Sequence, residues 1–284
     1  MKKTRAKARL FEWDTLKWSV LNLDDRFGAA LAGQSWHRRG CVLGYGFNRP
    51  AVAGRRVPRV QGRNLRLGLD GVSFDVATPW GAAHVRSDVL GRFNASNLLG
   101  TLAVLLASNT DLRDAVRALA ALDPVPGRAE RYGGGAAPLV VVDYAHTPDA
   151  LQKILLTLRE IGGGSRHSTL TCVFGCGGDR DRGKRAMMGR IATRCADRVI
   201  VTSDNPRSEK PMAIITEILE GATRDCVVIE DRRRAVQEAI STAVRGDIVV
   251  VAGKGHEPYQ EIRGVRHPYS DAQVVRAALG RAGA

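Results

Sequence analysis

The run Leu139-Val-Val-Val142 breaks at once into Asp143-Tyr-Ala-His-Thr-Pro148, and that change of character decides the fold. Four apolar, mostly β-branched residues read as a strand buried on both faces, and Pro148 opens a helical pattern to Ile161. The same alternation recurs downstream. Apolar runs at Leu170–Phe174, Val199–Thr202, Cys226–Ile229 and Ile248–Ala252 are separated by helical patterns at Lys184–Cys195, Pro211–Ala222 and Arg232–Val244, with a last helix at Asp271–Leu279. Strands of this kind alternating with helices predict an α/β domain with a doubly wound, mostly parallel, Rossmann-like sheet.

Upstream, Asp123-Pro-Val-Pro-Gly-Arg128 reads as a linker, because two prolines and a glycine interrupt any helix. It divides the chain into residues 1–123 and 124–284. The first part carries β-like runs at Trp18–Leu23, Cys41–Tyr45, Val72–Ala77 and Ala82–Val85, the last two forming a hairpin around Thr78-Pro-Trp-Gly81. Helical patterns follow at Asn94–Ala107 and Asp111–Leu122.

Composition narrows the function classes. With 44% hydrophobic and 25% charged residues in 284, the chain is globular rather than disordered, fibrous or coiled-coil. The longest uncharged stretch, Phe93–Thr110, is interrupted by asparagine, serine and threonine, so no membrane span is expected. No apolar h-region follows the basic start, and five scattered cysteines suit a reducing compartment, so a cytoplasmic location is expected. The net charge of +14 rests on arginine, 35 of the 43 basic residues, with nine arginines and no acid between Arg26 and Leu69. Without zinc-finger spacing or an aromatic platform, that stripe reads as a solvated face or a small-anion surface rather than a nucleic-acid site.

In a doubly wound sheet, ligands sit beyond the carboxyl ends of the strands. Four of the five strands here end in unusual polar sequence: Asp143–Pro148, Gly175-Cys-Gly-Gly-Asp-Arg-Asp181, Ser203-Asp-Asn-Pro-Arg-Ser-Glu209 and Gly253-Lys-Gly-His-Glu257. Four such loops on one edge predict a site. Gly178–Arg185 nearly matches a phosphate loop, but Arg185 lacks the hydroxyl that such a loop gives to magnesium. Gly177-Gly178 permits close backbone approach to a ligand. Arg180 offers a fork for a carboxylate or phosphate, unless it pairs with Asp179 or Asp181. Asp204-Asn-Pro-Arg207 combines an acid, an amide and an arginine, which matches a zwitterionic amino acid; an Asx turn capping the next helix is the alternative. His146 and His256 stand beside acids at strand ends and could donate to a ligand or exchange protons. Cys172 and Cys176 lack the companions of a zinc site and read as core thiols.

Taken together, these loops resemble the Mur ligases, and the resemblance extends to Ala6-Lys-Ala-Arg-Leu-Phe11, Asn22-Leu-Asp-Asp25, Thr78–Gly81, Gly91-Arg-Phe-Asn-Ala-Ser-Asn-Leu-Leu99 and Pro126-Gly-Arg-Ala-Glu130. It implies that residues 1–123 are the C-terminal part of a central ATP-binding domain and 124–284 an amino-acid-binding ligase domain. It implies an ATP-dependent amide ligase of peptidoglycan precursor and cell-wall synthesis, joining meso-diaminopimelate to UDP-N-acetylmuramoyl-L-alanyl-D-glutamate, with ATP and Mg2+ as cofactors. Asn97 is then expected at the adenine, Arg128 at the phosphates, Asp143 at the ribose with His146 nearby, and Lys7 at magnesium when carbamylated. Lys7 and Arg128 are the implied catalytic residues. Arg180, Asp204, Asn205, Arg207, Gly253 and Glu257 are the implied diaminopimelate ligands.

In that family a UDP-sugar domain, a Gly-Lys-Thr phosphate loop and metal-binding residues precede the lysine matching Lys7. The chain is therefore expected to be a C-terminal portion, inactive without its N-terminal half, monomeric, and without nucleic-acid or membrane partners. A non-catalytic ligand-binding module derived from such a ligase is the other reading.

Overall fold

The computed structural model describes residues 8–13, 15–33, 41–48, 57–122, 125–162 and 168–282. They fall into two compact units, Met1–Asp123 and Pro124–Ala284.

In the first unit, strands β1 (Trp18–Asn22), β2 (Cys41–Gly46), β3 (Arg59–Gly68), β4 (Gly71–Thr78) and β5 (Gly81–Ser87) form a sheet in that order. The first three are parallel and the last two add antiparallel. The expected hairpin at Thr78–Gly81 is present, with Gly81 at a φ of 129° that favours glycine. Strand β3 was not expected: its arginines hide the alternation, and an irregularity between Arg63 and Arg66 interrupts the period. Helix α1 (Arg26–Ala32) is capped by the Asp25 carboxylate, which accepts from the amides of Phe27 and Gly28. Helix α2 (Gly91–Ala107) buries Ala95, Leu98, Leu99, Leu102 and Leu106, one helical face, against Val72, Phe74, Val76 and Val85 of the sheet. Helix α3 (Leu112–Ala120) completes this core with Ala115 and Leu119.

The second unit is the doubly wound domain that the sequence predicts. Its six-stranded sheet has the order β10 (Val227–Val228), β9 (Arg198–Val201), β8 (Leu170–Phe174), β11 (Ile248–Ala252), β7 (Leu139–Asp143), β6 (Glu130–Gly133). All neighbours are parallel except β6, which runs antiparallel on β7. Helices α4 (Pro148–Gly162), α5 (Gly183–Cys195), α6 (Pro211–Leu219), α7 (Arg232–Ser241) and α8 (Asp271–Ala282) cover it. Val140, Val142, Val173, Ile200, Val249 and Val251 meet Ala235, Val236, Ala239 and Ile240 of α7 and Val274 and Val275 of α8. A hairpin of β12 (Tyr259–Ile262) and β13 (Val265–Pro268) follows the polar loop after β11. The chain leaves β8 outward to β9, and β11 later inserts between β8 and β7. The loops after β8 and β11 therefore flank the point where the winding reverses, the ligand position of such sheets.

Among the described residues, no helix is long and apolar enough to cross a membrane.

Candidate functional site

The parallel sheet brings the loops after β7, β8, β9 and β11 to one edge, and three of them are stitched together by side chains. Asn205 and Lys254 are buried, and Lys254 is entirely enclosed. The Lys254 ammonium donates to Asn205 Oδ1 at 2.9 Å and to Glu257 Oε2 at 3.1 Å, and lies 4.0 Å from Asp204 Oδ1. Asn205 Nδ2 donates to Glu257 Oε2 at 2.8 Å, while its Oδ1 also accepts the Glu261 amide at 2.9 Å. Asn205 is thus a bridge between loops and not the helix cap that the turn reading allowed. Gly253 has a φ of 117°, and a Cβ there would lie 2.6 Å from Asp204 Oδ2. Glycine at 253 leaves room for that carboxylate.

Arg207 turns in the left-handed region, φ 51°, where a non-glycine residue is strained. The hairpin holds it there: the Arg207 amide donates to the Glu261 carbonyl, and the Arg263 amide donates to the Arg207 carbonyl at 2.7 Å. Its guanidinium donates from Nη1 to the Gly178 carbonyl at 2.8 Å, and Nε lies 3.5 Å from Glu261 Oε2. Nη2 has no protein partner among the described residues. Gly178 is needed for contact with the chain itself: a Cβ there would lie 2.0 Å from the Pro206 carbonyl. Asp179 accepts from the Ser208 hydroxyl and amide, and Asp181 accepts the Gly183 amide. Neither takes Arg180, whose exposed side chain has no ion-pair partner among the described residues.

Two fully enclosed arginines support these loops, and nothing in the sequence marks either as buried. Arg232 pairs with Asp271 and donates to the Ala252 carbonyl at 3.0 Å and the Ser203 carbonyl at 3.5 Å, the exits of β11 and β9. Arg185 forks onto Glu209 at 2.7 and 2.9 Å and reaches Glu217 at 2.8 Å. Bonding to Arg185, aided by the Asp179 amide, pulls the Glu209 carboxyl down to about 2. The position that spoils the phosphate-loop match is therefore a buried anchor. A periodic pattern read as helix cannot show which of its arginines turn inward.

The loop after β7 makes a second cluster. Burial raises the Asp143 carboxyl, while the amides of Ala129 and Ala145, each 2.8 Å away, and Arg128 hold it down. Asp143 thus ties the turn that presents Arg128, whose guanidinium lies 4.9 Å from the Tyr144 ring centre. His146 packs edge-on to Tyr144 at 4.6 Å, and Lys184 donates to the His146 carbonyl at 2.9 Å. His256 lies 5.9 Å from the same ring. Gly127, φ 68°, has no room for a Cβ against the backbone of Gly255 and His256. An exposed guanidinium over an aromatic face suits phosphate and a flat ring in kind.

Asn97 is exposed on α2 of the first unit, its amide 3.4 Å from Asn94 Oδ1. Lys7 lies outside the described residues. Among the described residues, no three His, Cys, Asp or Glu side chains are grouped to hold a metal ion. Cys172 and Cys176 are buried core thiols, and burial pushes Cys176 up to about 12.

Two family models match the sequence: the Mur ligase middle domain over residues 3–105, and the Mur ligase glutamate ligase domain over residues 127–255. The UDP-N-acetylmuramoyl-L-alanyl-D-glutamate--2,6-diaminopimelate ligase of Nitrosomonas europaea is 48% identical over 286 residues, covering 96% of this chain and 55% of that protein. The enzyme of the same name from Chromobacterium violaceum is 48% identical over 278 residues, covering 96% and 54%. A solved structure of a ligase of that name superposes with a TM-score of 0.70 at 38% identity, covering 99% of this chain and 56% of that one. Folylpolyglutamate synthase from Thermotoga maritima, at 21% identity and a TM-score of 0.59, shares the fold alone. The chain spans about half the length of the curated relatives it matches.

Proposed function

This chain belongs to the Mur ligase family, and from that premise we propose that it serves an ATP-dependent amide ligase of peptidoglycan precursor synthesis. The amino acid added is meso-diaminopimelate and the acceptor is UDP-N-acetylmuramoyl-L-alanyl-D-glutamate. The observation that carries this reading is the convergence of Asp204, Asn205, Arg207 and Glu257 at the strand ends. A zwitterion with a second carboxylate needs acids for its ammonium and a fixed guanidinium for the carboxylate. Asp204, Asn205, Gly253 and Glu257 take the first role, and Arg207 with Arg180 the second. When bound, ATP supplies the phosphoryl group that activates the acceptor carboxylate for attack by the amine.

Arg128 and His146, beside Tyr144, fit the nucleotide end, with Asp143 holding the Arg128 turn; Asn97 is assigned to the adenine. Magnesium at a carbamylated Lys7 belongs to the same proposal. The sequence holds no Gly-Lys-[Ser/Thr] phosphate loop. Turnover is therefore assigned to the chain acting with a segment that carries one.

The test joins this chain to the N-terminal half of the Nitrosomonas europaea relative and follows ADP release with each amino acid. Release dependent on meso-diaminopimelate is expected. A folded hybrid that binds diaminopimelate without turnover would favour the non-catalytic module instead.

A further inference from the structure

A lysine with no exposed surface keeps its charge only where acceptors replace the water it has lost. At Lys254 those acceptors are Asn205 Oδ1 and Glu257 Oε2, with Asp204 Oδ1 next at 4.0 Å. All three are side chains that the reading above assigns to the amino acid. The lysine therefore touches the proposed ligand set from behind, and the proposed mechanism gives it no part. We infer that Lys254 is the positioning residue of the amino-acid subsite, fixing the orientation of Asn205 and holding two like-charged carboxylates at one strand edge. The inference rests on the proposed function for the identity of the amino acid.

The amide of Asn205 shows how this works. Its Oδ1 accepts from the Lys254 ammonium and from the Glu261 amide, both at 2.9 Å. A flipped amide would set its NH2 against two donors, so Nδ2 is left facing Glu257. Without the ammonium, one of the two donors that forbid the flip is gone. The charges count the same way. Asp204 and Glu257 bring two negative charges and Lys254 one positive, leaving a single negative charge for an incoming ammonium. Glu257 Oε1 and Asp204 Oδ2 accept from no donor among the described residues, so each carboxylate keeps an oxygen for a ligand. Removing the lysine leaves two carboxylates repelling one another at the strand edge.

The experiment uses the whole chain and the substitution Lys254→Met, which keeps the length of the side chain and removes its charge. In the unsubstituted chain, nuclear magnetic resonance should show a slowly exchanging Lys254 ammonium and slowly exchanging Asn205 side-chain amide protons. In the variant, the Asn205 protons should exchange at least about tenfold faster while the amides of β11 keep their protection. Affinity for meso-diaminopimelate should fall by about tenfold to a hundredfold, the loss of a charged hydrogen-bond network.

Unchanged Asn205 exchange in the folded variant overturns the proposal, and so does unchanged diaminopimelate affinity. If the variant does not fold, a fast-exchanging Lys254 ammonium in the unsubstituted chain is enough to overturn it. Should the Asn205 protons respond as expected while the unsubstituted chain ignores diaminopimelate, the substrate assignment fails and the hold of Lys254 on Asn205 stands.

Discussion

Arg232 and Asp271 meet with neither side chain exposed, Nη2 2.8 Å from Oδ2 and Nε 2.9 Å from Oδ1. The Tyr269 hydroxyl donates to the same carboxylate at 2.9 Å. Because Arg232 also donates to the carbonyls of Ser203 and Ala252, this pair joins the fold's interior to the mouths of two site loops. Removing one member strands the other. Asp271→Asn should cost about 3–5 kcal/mol, whereas replacing both residues with apolar ones of similar volume should cost much less. Urea unfolding of the three proteins measures this, and equal losses in the single and double variants would contradict it.

Acid should weaken the second unit through Glu209. Its carboxyl is pulled down to about 2 in the folded chain by Arg185 and the Asp179 amide, against about 4.3 in an unfolded one. Between those values the unfolded chain binds the extra proton. The stabilisation is therefore complete above the ordinary glutamate range and is lost as pH falls toward about 2. Urea midpoints measured from about pH 5 downward should decline, and Glu209→Gln should remove part of that decline. An equally steep decline in the variant would show that other carboxylates carry it.

Asp143 accepts one backbone amide on each oxygen, from Ala129 and Ala145. Asparagine there would turn an NH2 toward one of those amides, leaving two donors face to face. Ala129 sits at φ 49°, a conformation that needs such support. Asp143→Asn should therefore free the Gly127–Ala129 turn and move Arg128 off the Tyr144 ring. Hydrogen exchange at Ala129 should rise about tenfold or more, the equivalent of one lost charged hydrogen bond. If protection at Ala129 is kept while nucleotide binding is lost, Asp143 serves the ligand and not the turn.

The doubly wound sheet was legible because its strands are short apolar runs with no competing pattern, as at Leu170–Phe174 and Ile248–Ala252. The polar loops were legible because strand ends point one way in a parallel sheet. What the sequence hid were residues whose partners are remote. Arg232 and Asp271 are 39 positions apart and Asn205 and Lys254 are 49 apart, and nothing local marks such pairs. Strand β12 escaped for another reason: all four of its residues are half-buried, so no clean alternation appears. At Gly178, where the sequence suggests close approach to a ligand, the structure shows close approach to the Pro206 carbonyl of the chain itself.

On the proposed function, a preference for diaminopimelate over lysine should reside in Arg207. The two amino acids differ in the carboxylate that diaminopimelate carries at its far end. The Arg207 guanidinium is fixed by Gly178 through Nη1 and by Glu261 through Nε, and Nη2 has no protein partner among the described residues. A carboxylate can complete that fork, while the ammonium of lysine would face a like charge and leave the donor unmatched. Hydrogen bonds to charged groups contribute about 1.5–3 kcal/mol, and 1.4 kcal/mol is tenfold in affinity. Arg207→Ala should therefore reduce discrimination between the two amino acids by about tenfold to a hundredfold. Glu261→Gln, which weakens the hold on Nε without removing the guanidinium, should reduce it by less. Both variants are best measured in the hybrid enzyme, as the ratio of kcat/KM for diaminopimelate to that for lysine. An unchanged ratio in Arg207→Ala would remove Arg207 from the specificity site. A hybrid that already prefers lysine would defeat the substrate assignment itself.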